Sequence, residues 1–368
     1  MSLRVLFVDD EVSLRSAMSR LLAILEPSWE VVTAGDGEEA MALLRSMPAD
    51  AVVSDMRMPK MTGDKLLERV QEIRPSAARI LLTGHAEAST GLRSISVAHR
   101  FLVKPCAPET LIDAVKVSCS LRKLLSSSEL ADLVGGASAL PSAPAVFLEF
   151  IRELDKPNPC MQRIGSIIGS DVALTAKVLQ LVNSSFFGLG RAVVSPSQAA
   201  AYLGLTTLRS LVAMVASCSE VGRAVPSKTV EELQHHSLAV GMLCRNIAQG
   251  SYKARCSGED ALLAGMMHDI GKLLLPDPKA RDESHAEAGA FLLGLWGLPD
   301  QIVEAVAFHH RPDEAPSAQV NLATCVHAAD AIVRQREGAE MSEQAREILS
   351  KIGLLDESGE LLGEYQAA

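Results

Sequence analysis

The feature that most constrains this chain is a change of hydrophobic rhythm about a third of the way along its 368 residues. Up to about residue 125, short apolar runs alternate with amphipathic segments. The runs lie at 4–8, 30–34, 51–54, 79–83 and 101–103, and the segments at 13–25, 37–46, 63–73, 88–94 and 108–125. That alternation predicts a doubly wound, five-stranded parallel α/β sheet. Beyond Pro144 the strand pattern stops and apolar residues recur at spacings of three and four. One helix is expected to be capped by Ser170, to bury Leu174, Val178, Leu181 and Val182, and to end at Asn183. Further helices are expected at 208–221, 237–247, 258–268, 286–296, 301–308 and 322–333. No repeat period links them, so the second part is read as an irregular all-α bundle. The chain is multidomain.

Between the two parts lie Ser126-Ser127-Ser128, Val134-Gly135-Gly136-Ala137-Ser138 and Leu140-Pro141-Ser142-Ala143-Pro144, a composition that marks a boundary. Leu124, Leu130 and Leu133 fit a short amphipathic connector, and a flexible tether fits equally well. The expected divisions are 1–122, a connector at 123–143, a helical domain at 144–335 and a polar, peripheral tail at 336–368.

In a doubly wound sheet, functional groups collect at the carboxyl ends of the strands. Asp9 and Asp10 follow the first run, Asp55 the third, Thr83 ends the fourth and Lys104 follows the fifth. Three acids brought together repel, and a hard divalent cation such as Mg²⁺ relieves them. A carboxylate beside Mg²⁺, a hydroxyl and an ammonium can accept a phosphoryl group: Asp55 attacks phosphorus, and Mg²⁺, Thr83 and Lys104 hold the oxygens. Val8-Asp9-Asp10-Glu11, Asp55-Met56-Arg57-Met58-Pro59 with Gly63, Thr83-Gly84 and Lys104-Pro105 resemble the receiver (CheY-like, flavodoxin-like) domain of two-component response regulators. The resemblance covers about the first 120 residues. It implies Asp55 as phosphoacceptor, Asp10 and the Arg57 carbonyl as Mg²⁺ ligands, Asp9 acting through water, Thr83 and Phe101 as a switch pair, and a cis bond before Pro105. A sensor histidine kinase is the implied phosphoryl donor.

In the helical part, His268-Asp269 closes an apolar run and is followed by Ile270-Gly271-Lys272. A buried imidazole and carboxylate are costly unless paired, and a metal ion is one partner that serves. Val178 through Gly188 and Ala199-Ala200-Ala201-Tyr202-Leu203-Gly204 resemble the first half of an HDOD domain. His236-Ser237, His268 through Lys272, Leu295-Trp296-Gly297-Leu298-Pro299 and His309-His310 resemble its HD-related half, so the likeness spans about 128–335. Metal-dependent HD phosphohydrolases use a scattered His…His-Asp…Asp set. That resemblance implies His236, His268, Asp269 and Asp330 as ligands, with Glu232, His285, His309 and His310 as further candidates for Mn, Fe or Zn. Lys272 is the implied stabiliser of developing charge on a phosphodiester. His85, His99, His235 and His327 match no ligand position. Arg311-Pro312-Asp313-Glu314 stands where the HD-GYP branch carries Gly-Tyr-Pro, which weighs against cyclic-dinucleotide specificity.

Composition narrows the partners. A formal net charge of -10 and the absence of a DNA-reading motif argue against nucleic acid. No apolar run is long enough to span a bilayer, and seven scattered cysteines without a CxxC spacing suit a reducing, cytoplasmic setting. A homodimer is left open. The leading expectation is a phosphorelay response regulator whose HDOD output acts mainly by contacting a downstream protein. The alternatives are a phosphorylation-controlled, metal-dependent phosphodiesterase or a cyclic-dinucleotide sensor.

Overall fold

The computed structural model describes residues 2–84, 97–120, 125, 127–137, 140, 144–154, 156–183, 192–218, 225–250, 256–275, 277–316, 321–356, 358–362 and 365. The expected helix at 88–94, His85, and residues 184–188 of the HDOD-like signature lie outside these.

Strands β1 (Arg4–Val8), β2 (Glu30–Ala34), β3 (Ala51–Asp55), β4 (Ala78–Thr83) and β5 (Arg100–Val103) form one parallel sheet in the order β2-β1-β3-β4-β5. Side chains alternate across it. Val5, Phe7, Val53, Ile80 and Leu82 join one core with Met18 and Leu22 of α1 (Val12–Leu25) and Leu111 and Val115 of α4 (Pro108–Ser120). Leu6, Val8, Val52 and Leu81 pack on the other face with α2 (Gly37–Ser46) and α3 (Gly63–Ile73). Both faces are covered, as burial of a parallel sheet requires.

The second core does not stop at the sheet. It continues through Val97, Phe101, Leu130, Val134 and Leu140 into the helical part. The connector is a docked helix, α5 (Ser128–Gly135), capped by the Ser127 hydroxyl and burying Leu130, Ala131 and Val134. Its carboxyl end is gripped by the sheet. Arg79, 1 % exposed, donates to the carbonyls of Gly135 and Pro75 at 2.7 Å and of Val97 at 2.5 Å. His99 Nδ1 accepts the Arg79 backbone N–H at 3.1 Å and its Nε2 faces the Gly135 carbonyl at 3.3 Å. Burial holds the Arg79 guanidinium down to about 9. Burial first, and then the neighbouring Arg79 charge, keep His99 well below the ordinary imidazole value.

The helical part comprises α6 (Pro144–Leu154), α7 (Met161–Ile168), α8 (Val172–Val182), α9 (Pro196–Cys218), α10 (Ser227–Gly250), α11 (Gly258–Met267), α12 (Pro278–Leu295), α13 (Asp300–Phe308), α14 (Leu322–Arg336) and α15 (Glu343–Ile352). Several expectations change. Asp171, not Ser170, caps α8 by accepting the Leu174 N–H at 2.7 Å, because the Ser170 hydroxyl is spent on the Ile167 carbonyl at 2.8 Å. A left-handed Gly204, at φ 71°, breaks α9. Asp277 caps α12 and Pro278 opens it, so the helix expected from 286 starts earlier and includes His285. The tail is not peripheral: α15 buries Ala345, Ile348, Leu349 and Ile352, and Arg336 donates to the Tyr365 carbonyl.

Helices α10 and α11 touch backbone to backbone. A Cβ on Gly265 would stand 2.7 Å from the Gly241 Cα, so no larger residue fits without separating them. That contact brings α10, with His236, against the helix that ends in His268.

Candidate phosphoacceptor site and metal centre

The sheet brings Asp9, Asp55, Thr83 and Lys104 together at its carboxyl edge. Lys104 Nζ lies 2.6 Å from Asp9 Oδ2 and also pairs with Asp55. The Arg57 N–H donates to Asp55 Oδ2 at 2.8 Å, which sets the chain just after β3 against the carboxylate. Asp9, Asp55 and Thr83 are buried, whereas Asp10 and Arg57 are exposed beside them. The bond between Lys104 and Pro105 is cis. Burial raises the Asp55 carboxyl above its ordinary range, and nearby Asp9 adds to this; the Lys104 ammonium and the Arg57 N–H pull the other way without cancelling it. Such a cluster is still short of positive charge, and the buried Thr83 hydroxyl has no partner. Both features fit a cation and a ligand rich in oxygen. Phe101 is buried two residues along from His99 in the core that continues into the helices.

The second site is built from five helical segments. His236 comes from α10, His268 and Asp269 from the end of α11, His285 from α12, His309 and His310 from the end of α13, and Asp330 from α14. The 3-10 turn Ile270–Leu273 follows Asp269 and presses on α12, where a Cβ on Gly271 would stand 2.0 Å from the His285 carbonyl oxygen. Glycine at this position lets Asp269 approach His285.

The imidazoles are oriented alike. His268 Nδ1 is bonded to the Gly265 carbonyl at 2.7 Å and His309 Nδ1 to the Val306 carbonyl at 2.8 Å. His285 Nδ1 is bonded to the Arg281 carbonyl, and His236 Nδ1 meets Glu337 Oε1 at 3.2 Å. Acceptors on Nδ1 fix the tautomer and turn Nε2 inward, which is how metal-ligating histidines are prepared. Asp269 sits in the middle. Its Oδ1 is 3.1 Å from His285 Nε2 and 3.9 Å from His309 Nε2; its Oδ2 is 3.3 Å from His268 Nε2 and 3.9 Å from His236 Nε2. Asp330 Oδ1 lies 3.0 Å from His236 Nε2 and 3.7 Å from His268 Nε2. His310 Nε2 is 2.9 Å from His285 Nε2. Ligand-capable atoms thus form two groups, His236–His268–Asp330 and His285–His309–His310, linked by His268–Asp269–His309.

These residues fit metal ions on two observations. The Nε2 atoms of His268 and His309 are buried without a hydrogen-bond partner, a costly state for two imidazoles facing one carboxylate. The charge balance also suits ligation. Burial and neighbouring imidazoles hold His309 well below its ordinary value and His310 down to about 4, so both are neutral at pH 7, as ligands must be. Burial opposes a charged His268, but Asp269 and Asp330 outweigh it and raise that ring. Asp269 and Asp330 are both held low against burial, chiefly by His268 and by His236 respectively.

Glu232 stands apart. Its side chain is 65 % exposed, pairs with Lys228 at 3.4 Å, and lines the outer cleft without joining the ligand groups. Of the histidines read as non-ligands, His235 lines the same cleft, His327 bonds the His309 carbonyl at 2.7 Å, and His99 serves the connector. Two residues escaped the sequence reading. Arg334 Nε donates to Asp330 Oδ1 at 2.8 Å, and Glu337 meets His236. The i to i+4 step from Asp330 to Arg334 was the available signal. The cleft over the centre has a volume of about 770 Å³; Lys272, bonded to Asp269 Oδ2 at 2.6 Å, and Arg334 line it.

Comparison with known proteins agrees with this geometry. Residues 5–116 match the response regulator receiver domain family, 140–281 the HDOD domain family and 233–335 the HD domain family. An uncharacterized protein of Treponema pallidum (strain Nichols) is 27 % identical over 243 residues, 57 % of this chain and 45 % of that protein. The positive alginate biosynthesis regulatory protein of Pseudomonas aeruginosa is 37 % identical over 120 residues, 31 % of this chain and 46 % of that protein. The chain therefore spans less than half the length of these curated relatives. The crystal structure of the MmoQ response regulator from Methylococcus capsulatus str. Bath matches with a TM-score of 0.50 at 22 % identity, covering 62 % of this chain and 98 % of that one, a likeness of fold. Among the described residues no single helix is long and apolar enough to cross a membrane. By its sheet, its helices and these matches, the chain is a response regulator that joins an N-terminal receiver domain to a C-terminal HDOD domain of HD type.

Proposed function

We propose that phosphorylation of Asp55 controls a metal-dependent phosphohydrolase centre in the HDOD domain. In the receiver, Asp55 accepts the phosphoryl group from a histidine kinase; Asp10 and the Arg57 carbonyl would hold Mg²⁺, and Asp9 would act on it through water. Lys104 and Thr83 hold the phosphoryl oxygens, and Thr83 with Phe101 transmits the change. In the output, His236, His268 and Asp330 would hold one ion, His285, His309 and His310 a second, and Asp269 would serve both. Metal ions held by these residues would supply Lewis acidity and a water acidified to near-neutral pKa.

The chain's own groups do the rest. Lys272 and Arg334 anchor the phosphate of an ester in the cleft, and Glu337 orients His236. The observation that carries the reading is Asp269, whose two oxygens each face one half of a buried histidine-carboxylate set. The test is metal content after growth with Mn²⁺ or Fe²⁺, followed by a screen of nucleotides, cyclic dinucleotides and simple phosphodiesters. Metal-free protein that stays inactive after reconstitution overturns the proposal. The same result supports the rival reading, an output working only by protein contact, which draws on Arg311-Pro312-Asp313-Glu314 in place of Gly-Tyr-Pro.

A further inference from the structure

Away from the metal centre, Cys256 and Cys325 lie 69 positions apart in sequence and meet with their sulfurs 3.9 Å apart. Both are free thiols; Cys256 is half-buried and Cys325 fully buried. Cys256 immediately precedes Ser257, whose side chain caps α11, while Cys325 lies in the first turn of α14. The two helices lead to His268-Asp269 and to Asp330.

We propose that Cys256 and Cys325 are a peroxide-responsive pair whose disulfide ties α11 to α14. The two sulfurs are in van der Waals contact, and closing to a bond of about 2.0 Å draws the two helix starts together. The pair is unequal in the way such chemistry requires. The amino end of α11 favours negative charge on Cys256. Their contact holds Cys256 below the ordinary thiol value and, together with burial, pushes Cys325 well above it. Cys256 is thus the accessible attacking sulfur and Cys325 the resolving one.

The step balances. Cys256 thiolate attacks one oxygen of hydrogen peroxide, the O–O bond breaks, and hydroxide leaves and takes up a proton to become water. The sulfur of Cys325 then displaces the hydroxyl from the Cys256 sulfenic acid; the S–S bond forms, and the Cys325 proton leaves with that hydroxyl as a second water. Two thiols are oxidised by two electrons and one peroxide is reduced. Buried Cys244 is the nearby alternative partner, but the sulfur that meets Cys256 at 3.9 Å is that of Cys325.

The test uses the full chain, reduced with dithiothreitol, freed of reductant and treated with hydrogen peroxide at about one equivalent. The expected result is loss of two of the seven thiols, a mass loss of two hydrogens, and a single cross-linked peptide pair containing Cys256 and Cys325. Dithiothreitol reverses it. The thermal midpoint of the oxidised wild type rises, while that of Cys256→Ser does not change on treatment. Cys244→Ala cross-links like wild type. Because Cys325→Ala alters a buried position, Cys256→Ser at the half-buried position is the primary variant. Sulfinic acid at Cys256 without a cross-link, a bond through Cys244, or an unchanged thiol count each overturns the proposal.

Discussion

The two polar sites of this chain solve the problem of concentrated charge in opposite ways. At the receiver edge, one Lys104 ammonium already bridges Asp9 and Asp55, and Asp10 is left to water. In the output centre the charges are sealed in: His268, Asp269 and His309 are each 0 % exposed, and the Nε2 atoms of His268 and His309 have no hydrogen-bond partner. The receiver site can therefore stand in its resting form, waiting for an oxygen-rich ligand. A metal ion held in the output centre would give these buried atoms partners and add its binding free energy to the stability of the fold.

The largest effect should separate the two sites cleanly. Asp269→Asn is expected to drop transition-metal content by well over the 10–100-fold typical of losing a supporting partner, as read by elemental analysis, and to leave phosphorylation by acetyl phosphate intact. Equal metal in this variant and in wild type would remove the contrast. The reciprocal change, Asp55→Asn, should abolish phosphoprotein on a phosphate-affinity gel while metal content stays at the wild-type level. Phosphorylation of that variant at the wild-type rate breaks the receiver half of the comparison.

Between the sites lies the joint, and its effects are smaller. Arg79→Ala removes the donor for three carbonyls, those of Val97, Pro75 and Gly135. The expected loss is about 2–4 kcal/mol in urea unfolding, with earlier proteolysis at the connector. A loss within about 0.5 kcal/mol would mean the carbonyls find other partners. The smallest effect is on pH. His99 is held neutral in the folded chain below the ordinary value of 6.5. Its contribution is therefore present above that value and is lost as pH falls through it, because the unfolded chain takes up a proton that the folded chain refuses. The acid-side decline in stability should be shallower in His99→Gln, measured by chemical denaturation between pH 7 and the acid limit; an unchanged slope sinks the assignment.

Much of this architecture was legible in residue pattern. Alternation marked the sheet because a strand's side chains must choose faces every second residue, and the acids at strand ends could only converge once the sheet was parallel. The histidine set was legible by kind and order, but its geometry was not. Whether Nε2 points inward depends on carbonyls such as Gly265 and Val306, which carry no sequence signature. His285 fell just outside the helix expected at 286–296 although Asp277-Pro278 is a helix-start signal. The tail looked peripheral because its average polarity hid Ile348, Leu349 and Ile352 on one side of α15. Arg79 and His99 were invisible as a pair, since their shared partner Gly135 lies 56 and 36 positions away.

The unbroken apolar core that runs from β5 through α5 into the helices has a consequence for how such chains can be recombined. A seam drawn on composition, through the Ser- and Gly-rich stretch, would cut α5 from the Arg79 and His99 that hold its end. A foreign receiver grafted there would present a bare face to Leu130 and Val134. Chimeras that keep their parents' signalling should be those in which β4, β5 and residues 127–137 travel as one cassette, so that the unit of inheritance is larger than the domain that a sequence match outlines.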